Sequence, residues 1–173
     1  SNFQDAVTGG YSNNEVLRRR AFVLKKLERY DEALLDYNEI LSSDKSDVAS
    51  YVDRAGILIS LKKYEQADKD VNKILKLAPD NEDAVFLKVR VNFLTSNYEE
   101  TIKFATEYLS LNPKNQECLE MRAFSYEMLD RLTKAYTDYT TMISMDSNNT
   151  DLYLKRIKLY IKYILKVFMI IKI

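Results

Sequence analysis

Residues 48–81 read VASYVDRAGILISLKKYEQADKDVNKILKLAPDN, and the fold is decided by how this stretch is built and how often it recurs. Tyr51, Ala55 and Leu58 fall at spacings of four and three, and Ala67 and Ile74 fall seven apart. Such spacings place apolar side chains on one face of each of two amphipathic helices, here about 13 residues long. Pro79 ends the second helix, because it lacks an N–H and disfavours helical geometry in the residue before it. Asp80-Asn81 then offer side-chain acceptors to cap whatever helix follows.

The pattern returns every 34 residues in both directions. Tyr30, Tyr64, Tyr98 and Leu132 form one column, and Ala33, Ala67, Thr101 and Ala135 a second. Leu17, Tyr51, Val85, Leu119 and Tyr153 form a third, and Ala21, Ala55, Val89, Ala123 and Ile157 a fourth. The column of Leu24, Leu58, Tyr126 and Tyr160 is broken only by Asn92. The units are therefore 14–47, 48–81, 82–115 and 116–149. Small Ala21, Ala55 and Ala123 are expected to face Ala33, Ala67 and Ala135 across each hairpin, where a larger side chain would overpack by roughly 1–3 kcal/mol. Each hairpin is apolar on more than one side and must stack on its neighbours.

Composition agrees with helices. Three Gly and two Pro in 173 residues are too few for a turn-rich β architecture. The absence of His rules out zincin, zinc-finger and Ser-His-Asp chemistry, each of which needs an imidazole. Twenty-six basic and 26 acidic residues leave no overall field for nucleic acid. A lone Cys118 cannot form an internal disulfide, which indicates a cytoplasmic chain. Gly9-Gly10 lack the Gly-Lys-Ser/Thr of a phosphate-binding loop. Ser42-Ser43-Asp44-Lys45 has the Ser-x-x-Lys spacing of an activated serine but ends a helix and lacks companion motifs. Asn148-Asn149-Thr150 is a formal glycosylation sequon, read here as a turn between repeats. No catalysis, cofactor or metal is expected.

The units resemble the tetratricopeptide repeat (TPR) family, whose pattern is a large apolar residue, a small one four later, an aromatic, then Tyr-x-x-Ala and a closing Pro. Units 48–81 and 82–115 carry Pro79-Asp80-Asn81 and Pro113-Lys114-Asn115, while the outer units have Lys45 and Ser147 at the Pro position. The resemblance implies an all-α, right-handed superhelical solenoid of antiparallel helix pairs, about nine helices in all. It also implies a non-catalytic scaffold or adaptor that binds a peptide or amphipathic helix of another protein on a concave face built from the first helices. Val52, Phe86, Arg90, Met121 and Phe124 are the residues it assigns to that groove, with Ile59, Phe93 and Met128 divided between groove and core. Arg18, Arg19 and Lys25, and Glu117, Glu120 and Glu127, flank them. The family's carboxylate clamp for chaperone C-termini would need cations and amides where this chain has Arg18, Phe22, Asp53, Asp83 and Leu87, so no clamp is expected. A substrate-presenting or co-chaperone region of a larger protein is the alternative.

A basic column, Arg20, Arg54, Lys88, Arg122 and Arg156, is followed 16 residues later by Asp36, Asp70 and Asp138, with Phe104 interrupting. This spacing predicts an Arg-to-Asp bridge within each hairpin, in preference to an arginine ladder for an acidic ligand. Surface pairs of this kind contribute about 0–1 kcal/mol.

The ends depart from the repeat. Residues 1–13 are read as a mobile lead-in, and 150–173 as one long terminal helix rather than a fifth hairpin. From Thr150 onward six basic residues stand against Asp151, so the tail carries +5 and the rest of the chain −5. Ile157, Ile161, Ile164 and Phe168 are its candidate contact residues. In order of preference, the tail caps repeat four, meets a second copy or a further repeat, or lies on an anionic membrane. Charge in every window of about 20 residues excludes an ordinary membrane span. The narrow composition after Ile157 also allows translation past a gene's true end.

Overall fold

A computed structural model describes residues 12–171. Residues 1–11, which hold Gly9-Gly10 and most of the expected lead-in, lie outside the described residues. Among those described there are nine helices and no strand: α1 (Asn13–Lys26), α2 (Tyr30–Ser43), α3 (Val48–Ser60), α4 (Tyr64–Leu77), α5 (Glu82–Leu94), α6 (Tyr98–Leu111), α7 (Gln116–Met128), α8 (Leu132–Met145) and α9 (Thr150–Ile171). The first helix begins at Asn13, inside the expected lead-in, because the Ser12 hydroxyl caps it by accepting from the Glu15 N–H.

The chain divides into two compact units, 1–87 and 88–173, with the division falling inside α5. In the first, Leu17, Ala21, Leu24, Ala33, Tyr37, Ile40 and Ile57 form one buried cluster, and Leu41, Tyr51, Ile74 and Ala84 another. In the second, Cys118, Leu119, Ala123, Ala135, Tyr139 and Met142 are buried. The alanines assigned to the hairpin crossings, Ala21, Ala33, Ala55, Ala67, Ala123 and Ala135, are fully enclosed. Thr101 takes an alanine's place at no exposure because its hydroxyl donates back to the Asn97 carbonyl, 3.0 Å away.

From α3 onward, each first helix starts on a cap of fixed place. Asp47, Asn81, Asn115 and Asn149 accept from the N–H of Ser50, Ala84, Cys118 and Leu152. Asn81 was among the capping residues foreseen, and Asp47, Asn115 and Asn149 complete the column, Asp47 and Asn149 in the units without proline. Those units also end α2 and α8 where proline ends the others, because Asp44 and Asp146 fold back to accept from the N–H of Ser46 and Asn148. An Asx turn thus replaces the ring constraint.

The turn inside each hairpin is a Schellman motif with a non-glycine residue in left-handed conformation: Glu28, Lys62, Ser96 and Asp130 have φ of 57–61°. At the first, Arg29 N–H bonds to Leu24 O (2.9 Å) and Glu28 N–H to Lys25 O (3.1 Å), and the pair recurs in every unit. A Cβ at this φ costs about 1–2 kcal/mol, which glycine avoids while losing more chain entropy. Lys62→Gly is therefore expected to stabilise the chain by about 0.5–1 kcal/mol, read as a raised midpoint in urea unfolding. An unchanged or lowered midpoint would show that the turn carries no strain.

The predicted bridges are present and bidentate. Arg54 donates through Nε and Nη2 to Asp70 at 2.8 and 2.6 Å, Arg122 likewise to Asp138 at 2.9 and 2.7 Å, and Arg20 grips Asp36 in the same fork. The carboxylates are not surface groups, since Asp36, Asp70 and Asp138 are 2–5% exposed. Each bridge therefore matters more than the surface figure. Hydrogen bonding to Asp70 holds the Arg54 guanidinium above its ordinary value. Arg54 and Arg122 also reach back to Asn38 and Thr106 on the preceding second helix. Removing one partner of a buried pair costs about 3–5 kcal/mol because it strands a charge, whereas apolar replacement of both is near neutral. Arg122→Leu should destabilise by about 3 kcal/mol, and Arg122→Leu with Asp138→Leu should recover most of it. A double variant as unstable as the single one would contradict the buried-charge account.

Candidate functional site: the groove of the second unit

The first helices of the second unit leave one face open, and a groove of about 490 Å³ lies there. Its floor is apolar, built from Phe93 and Leu94 of α5 with Met121 and Phe124 of α7. Phe93 and Phe124 meet edge to face, centroids 5.5 Å apart and planes at 76°. Tyr98 lies 6.1 Å from Phe124. This geometry fixes the Phe124 ring from two sides while leaving it 41% exposed.

The walls carry charge. Glu117, Glu120 and Glu127 project from α7, Arg90 from α5 and Lys155 from α9. Arg90 pairs with Glu117 at 3.3 Å, and Lys155 with Glu120 at 2.6 Å. Glu127 has no cationic partner among the described residues. Its Oε1 accepts instead from the Tyr139 hydroxyl at 2.5 Å. Tyr139 is itself buried, and its phenol is pushed well above the usual range by desolvation first and by that hydrogen bond second. It therefore stays a protonated donor to Glu127, which lines the groove.

Of the residues proposed for a groove, Arg90, Met121 and Phe124 come together here. Val52 and Phe86 belong to the other unit, where Val52 packs half-buried against the cluster of Leu41, Tyr51, Ile74 and Ala84. Phe86 is half-buried. Ile59 is core at 4% exposure, whereas Met128 is 53% exposed. Leu94 and Tyr139 were missed. Tyr139 lies on a second helix, outside the positions considered, and its column holds Tyr37, Val71 and Ala105, which share no polar group. At the positions compared with a carboxylate clamp, Arg18 is bound to Asp47 and Asp53 to Lys25, while Leu87 is buried.

The other residues with chemical potential are engaged locally. Ser42 donates to its own helix at the Glu39 carbonyl, 2.7 Å away. Cys118 is enclosed, and burial pushes its thiol up to about 12. Asn148 and Asn149 form the turn into α9, as read from the sequence.

The terminal helix runs unbroken for 22 residues. Leu152 and Leu159 are buried, but Ile157, Ile161 and Phe168 are more than half exposed, and Ile164 is half-buried. Lys162 and Lys166 reach the turn residue Asp130, and Lys155 reaches back to Asp151 as well. Arg156, last of the basic column, lies over the rings of Tyr136 and Tyr153 at 5.4 and 5.5 Å. Among the described residues no helix is long and apolar enough to cross a membrane.

Comparison with known proteins places this geometry. The tetratricopeptide-repeat family model matches residues 48–81. The chain has the tetratricopeptide-repeat fold. A tetratricopeptide repeat protein from Parabacteroides merdae is 24% identical with a TM-score of 0.68, over 93% of this chain and 63% of that one. YrrB, a TPR protein with an unusual peptide-binding site, superposes with a TM-score of 0.81 at 16% identity, over 94% of this chain and 84% of that one. MamA from Desulfovibrio magneticus RS-1 gives 0.81 at 17% identity, over 87% and 85%. This chain thus spans less than two thirds of the Parabacteroides TPR protein. No curated protein matches the sequence.

Hydrogen bonding from Lys166 holds the Asp130 carboxyl below the usual carboxylate range, with the charges of Lys166 and Lys162 adding to it. A carboxyl depressed in the fold stabilises above its unfolded value, about 3.9, and loses that contribution as pH falls through the folded value. Hydrogen exchange in 160–171 should therefore accelerate on acidification below about pH 4 more than in Asp130→Asn. Equal pH response in both would refute the clip.

Proposed function

We propose that this TPR chain is a non-catalytic scaffold that captures a peptide or amphipathic helix of another protein in the groove of the second unit. The observation that carries the reading is the combination of an apolar aromatic floor with one uncompensated carboxylate, Glu127, held rigid by a buried tyrosine. Apolar side chains of a partner would bury against Phe93, Met121 and Phe124, where methionine adapts to shape. The carboxylate would choose among such partners by charge, since truncated or mismatched charge at a buried contact is penalised.

The same wall disfavours nucleic acid, because three glutamates would face phosphates. A chaperone C-terminus is disfavoured in the first unit as well, because Arg18 already binds Asp47. The cytoplasmic assignment rests on the single buried thiol. Absence of histidine supports binding over reaction.

Peptide display against the whole chain tests this. Enriched sequences should pair a Lys or Arg with large apolar residues, and their affinity should fall at least about tenfold in Phe124→Asp, a loss near 1.4 kcal/mol. Helicity should be unchanged, and a control at exposed Leu35 should bind normally. Equal binding by wild type and Phe124→Asp would exclude this groove.

A further inference from the structure

The terminal helix α9 carries an apolar stripe that the described residues leave more than half exposed. Leu154, Ile157, Ile161, Leu165 and Phe168 recur at spacings of three and four and are each 52–62% exposed. Lys158 borders the stripe, is exposed, and has no ion-pair partner among the described residues. The neighbouring cations of the helix are engaged, Lys155 by Glu120 and Lys162 and Lys166 by Asp130. The groove shows the converse arrangement, an apolar floor beside one carboxylate, Glu127, that has no cation among the described residues. One unpaired ammonium on an apolar stripe and one unpaired carboxylate over an apolar floor thus occur on the same chain.

We infer that the terminal helix of one copy docks in the groove of a second, with Lys158 meeting Glu127 and the Ile161–Phe168 side of the stripe covering Phe93 and Phe124. The inference rests on the groove reading above and names its occupant. Charge decides between the two ways copies could pair. Tail against tail would bring together segments of +5 each, whereas tail against body joins +5 to −5. The contact is heterologous, so it propagates into chains or closes into a ring instead of stopping at a two-fold dimer.

Sedimentation velocity on the full chain is the test. The wild type should show a mass that rises with concentration and falls when salt is raised to about 1 M, where charges are screened beyond about 3 Å. Glu127→Gln keeps an acceptor for Tyr139 while removing the charge, and Phe168→Asp alters an exposed site, so both should fold, as circular dichroism will register. Each alone should weaken association by about tenfold or more. Mixed together they should form a one-to-one complex that grows no further, because the intact tail of one meets the intact groove of the other. Association lost in Phe168→Asp but untouched in Glu127→Gln would overturn the inference in favour of tail-to-tail pairing. A wild type that stays monomeric would also overturn it. In that event, binding of a displayed peptide would leave the groove reading standing, and absence of peptide binding would remove both.

Discussion

Two helices of a hairpin approach most closely where the facing side chains are small, and the alanines that the repeat assigns to those crossings, Ala21/Ala33, Ala55/Ala67 and Ala123/Ala135, are all fully buried. Close approach lets the long side chains around the crossing interdigitate at the density of protein interiors. It also dictates the turn: helices that near each other must be joined in a few residues, and the left-handed residue at Glu28, Lys62, Ser96 and Asp130 supplies the reversal. The third unit reaches the same end differently, with Val89 and Thr101 at the crossing positions. The hydroxyl of Thr101 is harmless only because its own helix satisfies it.

Burying a carboxylate beside that crossing is costly unless its charge is met in full, and the arginine fork does so with two hydrogen bonds per pair. The same guanidinium touches the preceding second helix at Asn38 or Thr106, so one side chain ties hairpin to hairpin. In the third unit Lys88 and Phe104 occupy these places, and Asn92 buries an amide nitrogen without a partner among the described residues. That unit departs most from the pattern, and the division between the compact units falls in its first helix.

Residues that repeat in kind were legible from the sequence. Tyr, Ala and Leu columns at 34 residues implied paired helices, and the Arg and Asp columns implied their bridges, because identical chemistry in one register needs identical geometry. The turn residue escaped notice since Glu, Lys, Ser and Asp share no property except tolerance of the position. Burial of the bridging acids was also invisible, for spacing reports a partner and not the depth of the pair. Arg90, Met121 and Phe124 could be named together because the resemblance assigns recurring first-helix positions to one face. Tyr139 was not, because its role depends on Glu127 lying across from it in another helix. The exposed stripe of α9 could be listed as apolar, but which part packs, Leu152 and Leu159, required the neighbouring helix.

The groove of the second unit is the proposed working surface, and methionine methyls report on it directly. Met121 lines the floor, Met128 lies exposed on the same helix, and Met142 is enclosed in α8. Titration of methyl-labelled full-length protein with a basic, apolar helical peptide, followed by nuclear magnetic resonance, should shift Met121 foremost and leave Met142 in place. Saturable binding that leaves Met121 unmoved, with the shift appearing instead at Met169 of the terminal helix, would contradict it.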